Sequence, residues 1–498
     1  MSLKINLSLA ICLLLVLAAC DNGSDSRAKS KATTSLTATE ALEAMKRGDF
    51  TPLDYANVLL DQAEKLEYLN AFIYLNPDEV RAAAEAATRK LKSGEPVGAL
   101  IGLPLLVKDS VDTAGIPTTA GTPSVGHNIP TENAPFLQAL LDEGAYVFGK
   151  TNLAEVSLHS FGANDFYGIA LNPYDTTRVP GGSSSGTAVA VSAWIAPLGI
   201  GEDTGGSIRI PAAMTGITGF RPTAGRYSNT GIFPLASHRD TPGPMARTIE
   251  DLILVDSVVT GSPMQLPAAE LDGLRLGVPP SAWNVIDPAV DDVIQKALAY
   301  LEEQGAVLVR KDIPGMYDLV ADNFFSDVFC SMFDSINAYL AERALGFDFY
   351  YLAENVMTPE IAALVNLAYP GVISQDSCDR SLTSTRPTLQ GMLADYFDQH
   401  DVEAILVPTV VFAAPPIGTQ TIIINGTGFD AVSLAIRNME PAAFAGLPSL
   451  SIPVGITPDE GLPVGLLIDG PVGEDRRILA IGKAIEQIIP EVPAPKLD

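Results

Sequence analysis

The sequence predicts an α/β fold in which helices cover a mixed β-sheet. Short apolar segments with strand character alternate along the chain with longer segments of helical periodicity. That alternation is typical of a sheet whose strands are connected by helices. The 498 residues are 47% hydrophobic and only 18% charged, a composition that favours a well-buried globule over a disordered chain.

Two helices open the predicted folded region, which begins near residue 37. Thr37 and Glu40 have the spacing of a capping box, in which each side chain satisfies the backbone N–H of the other residue. Thr51, Pro52 and Asp54 have the composition of a second helix start, because proline is well tolerated in a first turn.

Further strands and helices follow without a long linker. The periodicity of residues 290–304 predicts a helix. Neither a low-complexity segment nor a repeat of about 20 to 50 residues is present, so we expect one domain over residues 37–498. The clearest predicted strands are 103–107, 146–148, 274–278 and 405–407.

Residues 316–374 have a different composition, helical and rich in phenylalanine and tyrosine. We expect these aromatic side chains to pack a helical core, with the wall of a binding pocket as the alternative. The aromatic residues are Phe324, Phe325, Phe329, Phe333, Tyr339, Phe347, Phe349, Tyr350 and Tyr351.

The N-terminus has the layout of a secretion signal over residues 1–19. Lys4 precedes an apolar run that is too short to be a comfortable membrane span. Residues 17–20, Leu-Ala-Ala-Cys, resemble the lipobox of bacterial lipoproteins, which implies cleavage and lipidation at Cys20; an uncleaved anchor is the alternative. The polar stretch to residue 36 is expected to be a flexible tether. The protein would then be exported and held on a membrane, facing the periplasm or the cell exterior.

Asp21 follows the cysteine and favours the inner membrane if the source is Gram-negative. The formal net charge of −28 argues against nucleic acid and anionic lipid surfaces as partners. No Cys or His cluster has metal-ligand spacing, so we expect no metal and no cofactor. Cys330 and Cys378 either pair in an oxidising compartment or remain two thiols.

Two serines lie in separate glycine-rich loops 24 positions apart. Residues 180–186 read Pro-Gly-Gly-Ser-Ser-Ser-Gly and contain Ser183, and residues 201–211 contain Ser207. Glycines allow successive backbone N–H groups to point at one position, and such a nest suits a developing oxyanion. The N–H groups expected to form it are those of Thr204, Gly205, Gly206 and Ser207.

Lys108 follows a buried apolar strand directly, an unusual position for a surface lysine. A lysine with its ordinary pKa is neutral at pH 7 only about once in 2500 molecules, a cost of roughly 4.6 kcal/mol. Base catalysis by Lys108 therefore requires desolvation to lower its pKa, and an apolar, glycine-rich cleft provides it.

The order Lys108, Ser183, Ser207, with spacings of 75 and 24 residues, resembles the Lys, cis-Ser, Ser triad of the amidase signature family. The resemblance extends over residues 37–490. Further matching motifs lie at residues 149–155, 243–247 and 445–455.

This resemblance implies a mixed central sheet with helices on both faces and a serine amidase that cleaves a C–N bond through an acyl-enzyme. Ser207 would be the nucleophile, Ser183 the proton relay after a cis peptide bond, and Lys108 the base. It also implies a buried Asp203–Arg209 pair behind the serine loops and a hydrogen bond from Ser184 to Lys108. A homodimer is the family-level expectation for the assembly.

Several other functions fit parts of the sequence. The Gly-x-Ser-x-Gly pattern around Ser184 could indicate an α/β-hydrolase with His238 as its base, but residues 178–181 have the composition of an irregular loop rather than a strand. Gly-Lys-Thr at 149–151 lacks the upstream glycine of a phosphate loop. A glutaminase subunit of a tRNA-dependent amidotransferase and a non-catalytic lipoprotein that binds amides or peptides remain alternatives. The resemblance implies a small-molecule or peptide amide as the substrate, and the aromatic segment suggests an apolar or aromatic acyl group.

Overall fold

A computed structural model describes residues 33–497. The predicted signal segment, the predicted lipidation site Cys20 and most of the predicted tether lie outside the described residues. Within residues 33–497, no helix combines the length and the apolar character needed to cross a membrane. The same part of the chain contains no group of three or more His, Cys, Asp and Glu side chains placed to hold a metal ion.

The described residues form one large mixed sheet flanked by helices. Eleven strands pair in the order β1-β3-β2-β4-β6-β5-β12-β13-β9-β7-β8, while β10 and β11 form a separate hairpin. The strands are β1 Phe72–Tyr74, β2 Pro104–Lys108, β3 Tyr146–Thr151, β4 Leu198–Asp203, β5 Thr218–Arg221, β6 Thr241–Ala246, β7 Arg275–Gly277, β8 Val307–Val309, β9 Ala404–Pro408, β10 Thr421–Ile424, β11 Thr427–Asp430, β12 Ser449–Ile456 and β13 Pro463–Asp469.

The helices connect these strands and cover the sheet, which confirms the predicted α/β class. They are α1 Ala38–Arg47, α2 Pro52–Lys65, α3 Pro77–Lys92, α4 Pro135–Asp142, α5 Ser185–Ser192, α6 Arg209–Thr215, α7 Ile249–Thr260, α8 Pro288–Glu303, α9 Met316–Phe329, α10 Met332–Glu342, α11 Phe349–Glu354, α12 Pro359–Val365, α13 Gln375–Arg380, α14 Arg386–His400, α15 Ala431–Ile436, α16 Glu440–Ala445 and α17 Asp475–Ile488.

The first two helices begin where the sequence predicted. Thr37 and Glu40 form the capping box of α1, and Thr51 and Asp54 form a second one at α2. Strand β3 is longer than predicted, because it continues through two buried polar residues and stays paired with β2 as far as Thr151.

Lys150, one of those two residues, is fully buried. Its amine lies 3.1 Å from Asp109 and donates to the Thr118 hydroxyl at 2.7 Å. The Gly-Lys-Thr segment is therefore the end of a sheet strand rather than a phosphate loop.

Strand β2 lies between β3 and β4 and runs parallel to both. Because parallel strands end at the same edge of a sheet, Lys108 at the end of β2 and Asp203 at the end of β4 reach the same region. The glycine-rich loops that contain the two candidate serines lie next to this edge, one before α5 and the other between β4 and α6.

A second hydrophobic cluster packs apart from the main core, built largely from the aromatic segment. Phe329 and Phe349 are buried in it, as the predicted helical core requires. Cys330, after α9, and Cys378, in α13, form a disulfide bond, which resolves the alternative left open by the sequence.

Candidate active site

Lys108 is fully buried, and three oxygen atoms surround its amine. Nζ lies 2.7 Å from Ser183 Oγ, 3.0 Å from Glu202 Oε2 and 3.2 Å from the Glu202 carbonyl oxygen. Burial lowers the pKa of Lys108, and the Glu202 carboxyl group opposes part of that shift. The desolvation that the sequence analysis required for a basic lysine is therefore present.

Glu202 was not identified from the sequence. It lies on β4, every residue of which is buried, and it is itself fully buried. Burial raises the pKa of its carboxyl group, while Lys108 opposes the shift. The signal that could have identified it is a glutamate directly after the apolar residues 198–201 and just before the nucleophile loop, because a carboxyl group there needs a buried partner.

Ser183 follows a cis peptide bond from Gly182, as the family resemblance implied. Its side chain is fully buried beside Lys108. A Cβ atom on Gly182 would lie 2.5 Å from the Gly162 backbone nitrogen, so only glycine fits at this position. Gly181 has a φ of +79° and is packed against the backbone of Pro211.

Ser184 does not donate a hydrogen bond to Lys108, so that expectation was wrong. Its hydroxyl lies 3.2 Å from the Glu202 carbonyl oxygen and accepts from the Glu202 N–H at 3.3 Å. The Ser184 backbone N–H donates to the Ser207 carbonyl oxygen at 3.1 Å. Ser184 therefore ties the two serine loops together and acts on Lys108 only through Glu202.

Ser207 is partly exposed, in contrast to Ser183, and it lines a cavity. The neighbouring Gly206 N–H donates to Asp203 Oδ1 at 2.8 Å, so Gly206 is not a free oxyanion donor as predicted. The Asp203 carboxylate, three residues earlier in the chain, already accepts the Gly206 N–H. The backbone N–H groups of Thr204, Gly205 and Ser207 have no hydrogen-bond partner within residues 33–497.

Asp203 and Arg209 form the buried pair that the resemblance implied. Arg221, which the sequence analysis missed, also binds Asp203, from strand β5, with Nη1 3.2 Å from Oδ1. Burial alone would raise the pKa of Asp203, but the two guanidinium groups and the Ile208 N–H hold it well below its ordinary value. The carboxylate is thus charged, and it fixes the start of the nucleophile loop.

Arg239 supports the same loop from the other side. Its Nε donates to the Thr204 carbonyl oxygen at 3.0 Å, and its other nitrogens bind Asp327 at 2.9 Å and Glu440 at 2.6 Å. His238 also contacts Asp327, at 3.0 Å, and does not line the cavity. With Ser184 fully buried, the Ser-His-Asp arrangement of an α/β-hydrolase is not assembled.

The cavity beside Ser207 has a volume of about 850 Å³ and a largely apolar wall. Phe324, Phe325 and Phe329 from α9 contribute to it, so the aromatic segment forms both a core and a pocket wall. Burial lowers the pKa of His159 to about 4, and this residue is therefore neutral at pH 7. No lysine or arginine lines the cavity within the described residues, whereas four carboxyl groups do: Asp165, Glu360, Asp430 and Glu440.

Comparison with known proteins gives consistent results along nearly the whole chain. The family model described as Amidase matches residues 54–479. Indoleacetamide hydrolase of Allorhizobium ampelinum is 35% identical over 90% of this chain and 97% of its own. Mandelamide hydrolase of Pseudomonas putida is 34% identical over 92% of each chain. A glutamyl-tRNA(Gln) amidotransferase subunit of Chloroflexus aurantiacus is 32% identical over 91% of this chain and 96% of its own.

Solved structures give the same result at the level of the fold. The crystal structure of an amidase superimposes with a TM-score of 0.82 at 30% identity, covering 91% of this chain and all of that one. Peptide amidase from Stenotrophomonas maltophilia superimposes with a TM-score of 0.80 at 26% identity, covering 93% and 99%. With a buried lysine against a cis-linked serine and a second serine on the cavity, this agreement shows that the chain is an amidase and belongs to the amidase family.

Proposed function

We propose that Ser207 is the nucleophile, with Ser183 as its proton relay and Lys108 as the base. The observation that carries the assignment is that the buried Lys108 amine lies 2.7 Å from Ser183 Oγ. The loop that contains Ser183 is joined to Ser207 by the hydrogen bond from the Ser184 N–H to the Ser207 carbonyl oxygen. Ser207 Oγ attacks the amide carbonyl carbon as its proton passes to Ser183 Oγ and the Ser183 proton passes to Lys108.

The oxyanion that forms is stabilised by the unpaired N–H groups of Thr204, Gly205 and Ser207. The C–N bond then breaks, and the leaving nitrogen takes back the proton through Ser183. Water attacks the acyl-enzyme by the same relay and releases the carboxylic acid. The products are a carboxylate and ammonia or an amine.

The substrate we propose is a neutral amide with an aromatic acyl group, such as an arylacetamide. Three phenylalanines on α9 provide an apolar wall, and the carboxyl groups at the cavity disfavour an anionic substrate. The relatives named indoleacetamide hydrolase and mandelamide hydrolase support the same class, since both names describe an arylacetic amide.

The cavity favours this substrate over glutamine. Glutamine has an α-carboxylate, which needs a cationic partner when it is buried, and no lysine or arginine lines the cavity within residues 33–497. The glutaminase component of an amidotransferase is therefore the weaker alternative, although such a protein is among the relatives. A lipoprotein that binds amides without hydrolysing them would not require a buried lysine beside two serines.

We further propose that the protein is exported and anchored through a lipid on Cys20, and that the polar stretch after Cys20 is its tether. The Cys330–Cys378 disulfide supports an oxidising compartment such as the periplasm. Expression of the full chain with metabolic labelling by a radioactive fatty acid tests the anchor. Label and membrane association should both be lost in Cys20→Ser, and their persistence would contradict the proposal.

Turnover is tested on residues 21–498 with phenylacetamide, acetamide and a peptide amide, following ammonia release. We expect phenylacetamide to be hydrolysed best, the Ser207→Ala variant to be inactive, and His238→Ala to keep its activity. Loss of activity in His238→Ala with full activity in Ser207→Ala would contradict the mechanism. Light scattering of the same sample would test the expected homodimer.

If no amide is hydrolysed, a serine-directed fluorophosphonate distinguishes the remaining options. Labelling of Ser207 would show an activated serine whose amide has not been found. Absence of labelling in a folded sample would instead favour a binding protein.

A further inference from the structure

A continuous line of hydrogen bonds leads from Lys108 through Glu202 and Thr204 to Asp240. Glu202 Oε2 lies 3.0 Å from Lys108 Nζ, and Glu202 Oε1 lies 2.8 Å from Thr204 Oγ1. Thr204 Oγ1 in turn lies 2.6 Å from Asp240 Oδ1. All four side chains are buried, with at most 4% of any residue exposed. The proton positions along this line decide the charge of Lys108.

Thr204 limits those positions, because a hydroxyl group has one proton and lies here between two carboxyl groups. It can donate to only one of them, and the other must donate to it. Since a carboxylate has no proton to donate, either Glu202 or Asp240 is a neutral acid.

The surroundings of the two carboxyl groups identify which one is protonated. Asp240 accepts from the Leu235 N–H at 2.9 Å and from the Ala236 N–H at 3.0 Å, and such bonds favour the charged form. Among the described residues, no backbone N–H donates to the Glu202 carboxyl group. Glu202 therefore donates through Oε1 to Thr204, which donates to Asp240.

The geometry at Lys108 fits the same arrangement. A neutral amine has two N–H groups and one lone pair. The two N–H groups match the two Glu202 oxygens at 3.0 and 3.2 Å, and the lone pair matches the Ser183 hydroxyl at 2.7 Å. In this arrangement the Ser183 proton points at the lysine lone pair, as a base requires.

We propose that Glu202 is a positioning residue that rests as a neutral carboxylic acid and thereby leaves Lys108 as the neutral amine. This inference rests on the proposed function of Lys108 as the base. Both partners are neutral in this state, so neither is an ion inside the protein, where an unpaired charge is costly.

Other charged groups around the pair are consistent with the assignment. Asp203, the next residue on β4, is neutralised by Arg209 and Arg221. Asp240 remains as the one carboxylate in line with Thr204. Burial is also the largest cause of both pKa shifts, lowering that of Lys108 and raising that of Glu202.

During acylation Lys108 accepts the proton from Ser183 and becomes an ammonium ion. The Glu202 proton then moves to Thr204 Oγ1 as the Thr204 proton moves to Asp240 Oδ1. This leaves a carboxylate on Glu202 directly against the new ammonium ion, with no proton gained or lost by the line. When the leaving nitrogen is protonated through Ser183, the shift reverses.

The test compares the wild type with Glu202→Gln, because glutamine has the shape of the neutral acid and makes the same bonds. Glu95→Gln, at an exposed loop position, is the control. Infrared spectra near pH 8 in H2O and D2O should show a carboxylic-acid carbonyl band that is present in the wild type and in the control and absent in Glu202→Gln.

We also expect Glu202→Gln to fold and to lower kcat/KM for phenylacetamide at pH 8 by roughly three- to tenfold, because glutamine cannot become the carboxylate that faces the ammonium ion during acylation. The acidic limb of the pH dependence of kcat/KM should move to lower pH in this variant. Without a carboxylate at position 202, the ammonium form of Lys108 is less stable and takes up its proton only at lower pH. A purely structural glutamate would not move that limb.

Four results would each overturn the proposal: failure of Glu202→Gln to fold, an infrared band that the substitution leaves unchanged, an acidic limb that stays at the same pH, or a rise in kcat/KM of about tenfold at pH 7. A tenfold rise in particular would mean that a Glu202 carboxylate had held Lys108 as ammonium. Because the infrared band requires no turnover, a wild type that hydrolyses none of the amides would count against the proposed function without deciding the state of Glu202.

Discussion

Asp203 binds Arg209 through two adjacent hydrogen bonds, from Nε to Oδ2 at 3.0 Å and from Nη2 to Oδ1 at 2.9 Å. Both side chains are fully buried. The same carboxylate also accepts the backbone N–H groups of Gly206 and Ile208, on either side of Ser207. One side chain thus sets the backbone of the nucleophile loop and anchors the helix that follows it.

Asp203→Asn should therefore unfold more easily than the wild type. An amide cannot neutralise Arg209 and Arg221, and two uncompensated buried cations cost about 3–5 kcal/mol. Urea unfolding at pH 7 measures the loss, with Asp61→Asn at an exposed position as the control. A difference below about 1 kcal/mol would show that the pair is not structural.

The same residue predicts how stability depends on acid. The folded pKa of Asp203 lies below its unfolded value of about 3.9, so its contribution is complete above that pH and is lost as the pH falls towards the folded pKa. The free energy of unfolding of the wild type should consequently decrease as the pH is lowered below about 4. Asp203→Asn should lack the part of this decrease that comes from protonation of Asp203. Equal slopes in the two proteins would contradict the assignment.

Replacement of both Cys330 and Cys378 by serine should destabilise the aromatic segment. The disulfide closes a loop with a separation of 48 residues, for which chain entropy gives about 4 kcal/mol. Because Phe329 lies next to Cys330 and lines the cavity, we also expect a higher KM for phenylacetamide with kcat little changed. Thermal unfolding and steady-state kinetics of the double variant, and of wild type under reductant, provide the measurements.

Phe325→Ala should reduce the preference for aromatic substrates. Phe325 lines the cavity and is 51% exposed, so its removal should raise KM for phenylacetamide by roughly three- to tenfold. Acetamide, which does not reach the wall, should be unaffected. Tyr68→Ala is a matched control, since Tyr68 is 49% exposed and lies away from the cavity. Equal losses on both amides would assign Phe325 to folding instead.

Substrate charge should also affect turnover. An analogue of phenylacetamide with a carboxylate on the ring should react roughly tenfold more slowly than phenylacetamide itself, because Glu360 and Asp430 at the cavity repel the added charge. Added salt and the double variant Glu360→Gln, Asp430→Asn should both narrow the difference, since both groups are partly solvated. Insensitivity of the ratio to salt and to the double variant would show that shape, and not charge, excludes the analogue.

Glu486 should make the protein less stable as the pH rises. Burial raises its folded pKa to about 7, above the unfolded value of about 4.3, so the folded state holds its proton more tightly. Stability should fall between these two values as the proton is lost. Glu486→Gln, which can still accept the Ile249 N–H, should raise the melting temperature at pH 8 but not at pH 4. An equal shift at both pH values would contradict a role for its charge.

The sequence was sufficient to identify the chemical groups but not all of their contacts. Lys108, Ser183 and Ser207 were identifiable because the glycines around the serines and the strand before the lysine are local features. Arg221 binds Asp203 from a strand that is two places away in the sheet, and no local pattern predicts that contact.

The errors have local physical causes. Gly206 was predicted to be a free donor because a glycine run suggests an open nest, yet Asp203 occupies its N–H first. Ser184 was assigned to Lys108, although the Glu202 backbone lies between them. Glu202 was overlooked because its contact with Lys108 is made between the neighbouring strands β4 and β2, and the sequence around Glu202 does not name that partner.

The aromatic wall packs into a hydrophobic cluster that is separate from the core beneath the sheet. This part of the cavity wall is therefore encoded in a different stretch of the chain from Lys108, Ser183 and Ser207, and it can change while those residues stay the same. A library of variants confined to residues 316–374 would sample new substrates while the reaction stays intact. A library confined to residues 180–211 would mostly yield slower enzymes for the same substrate.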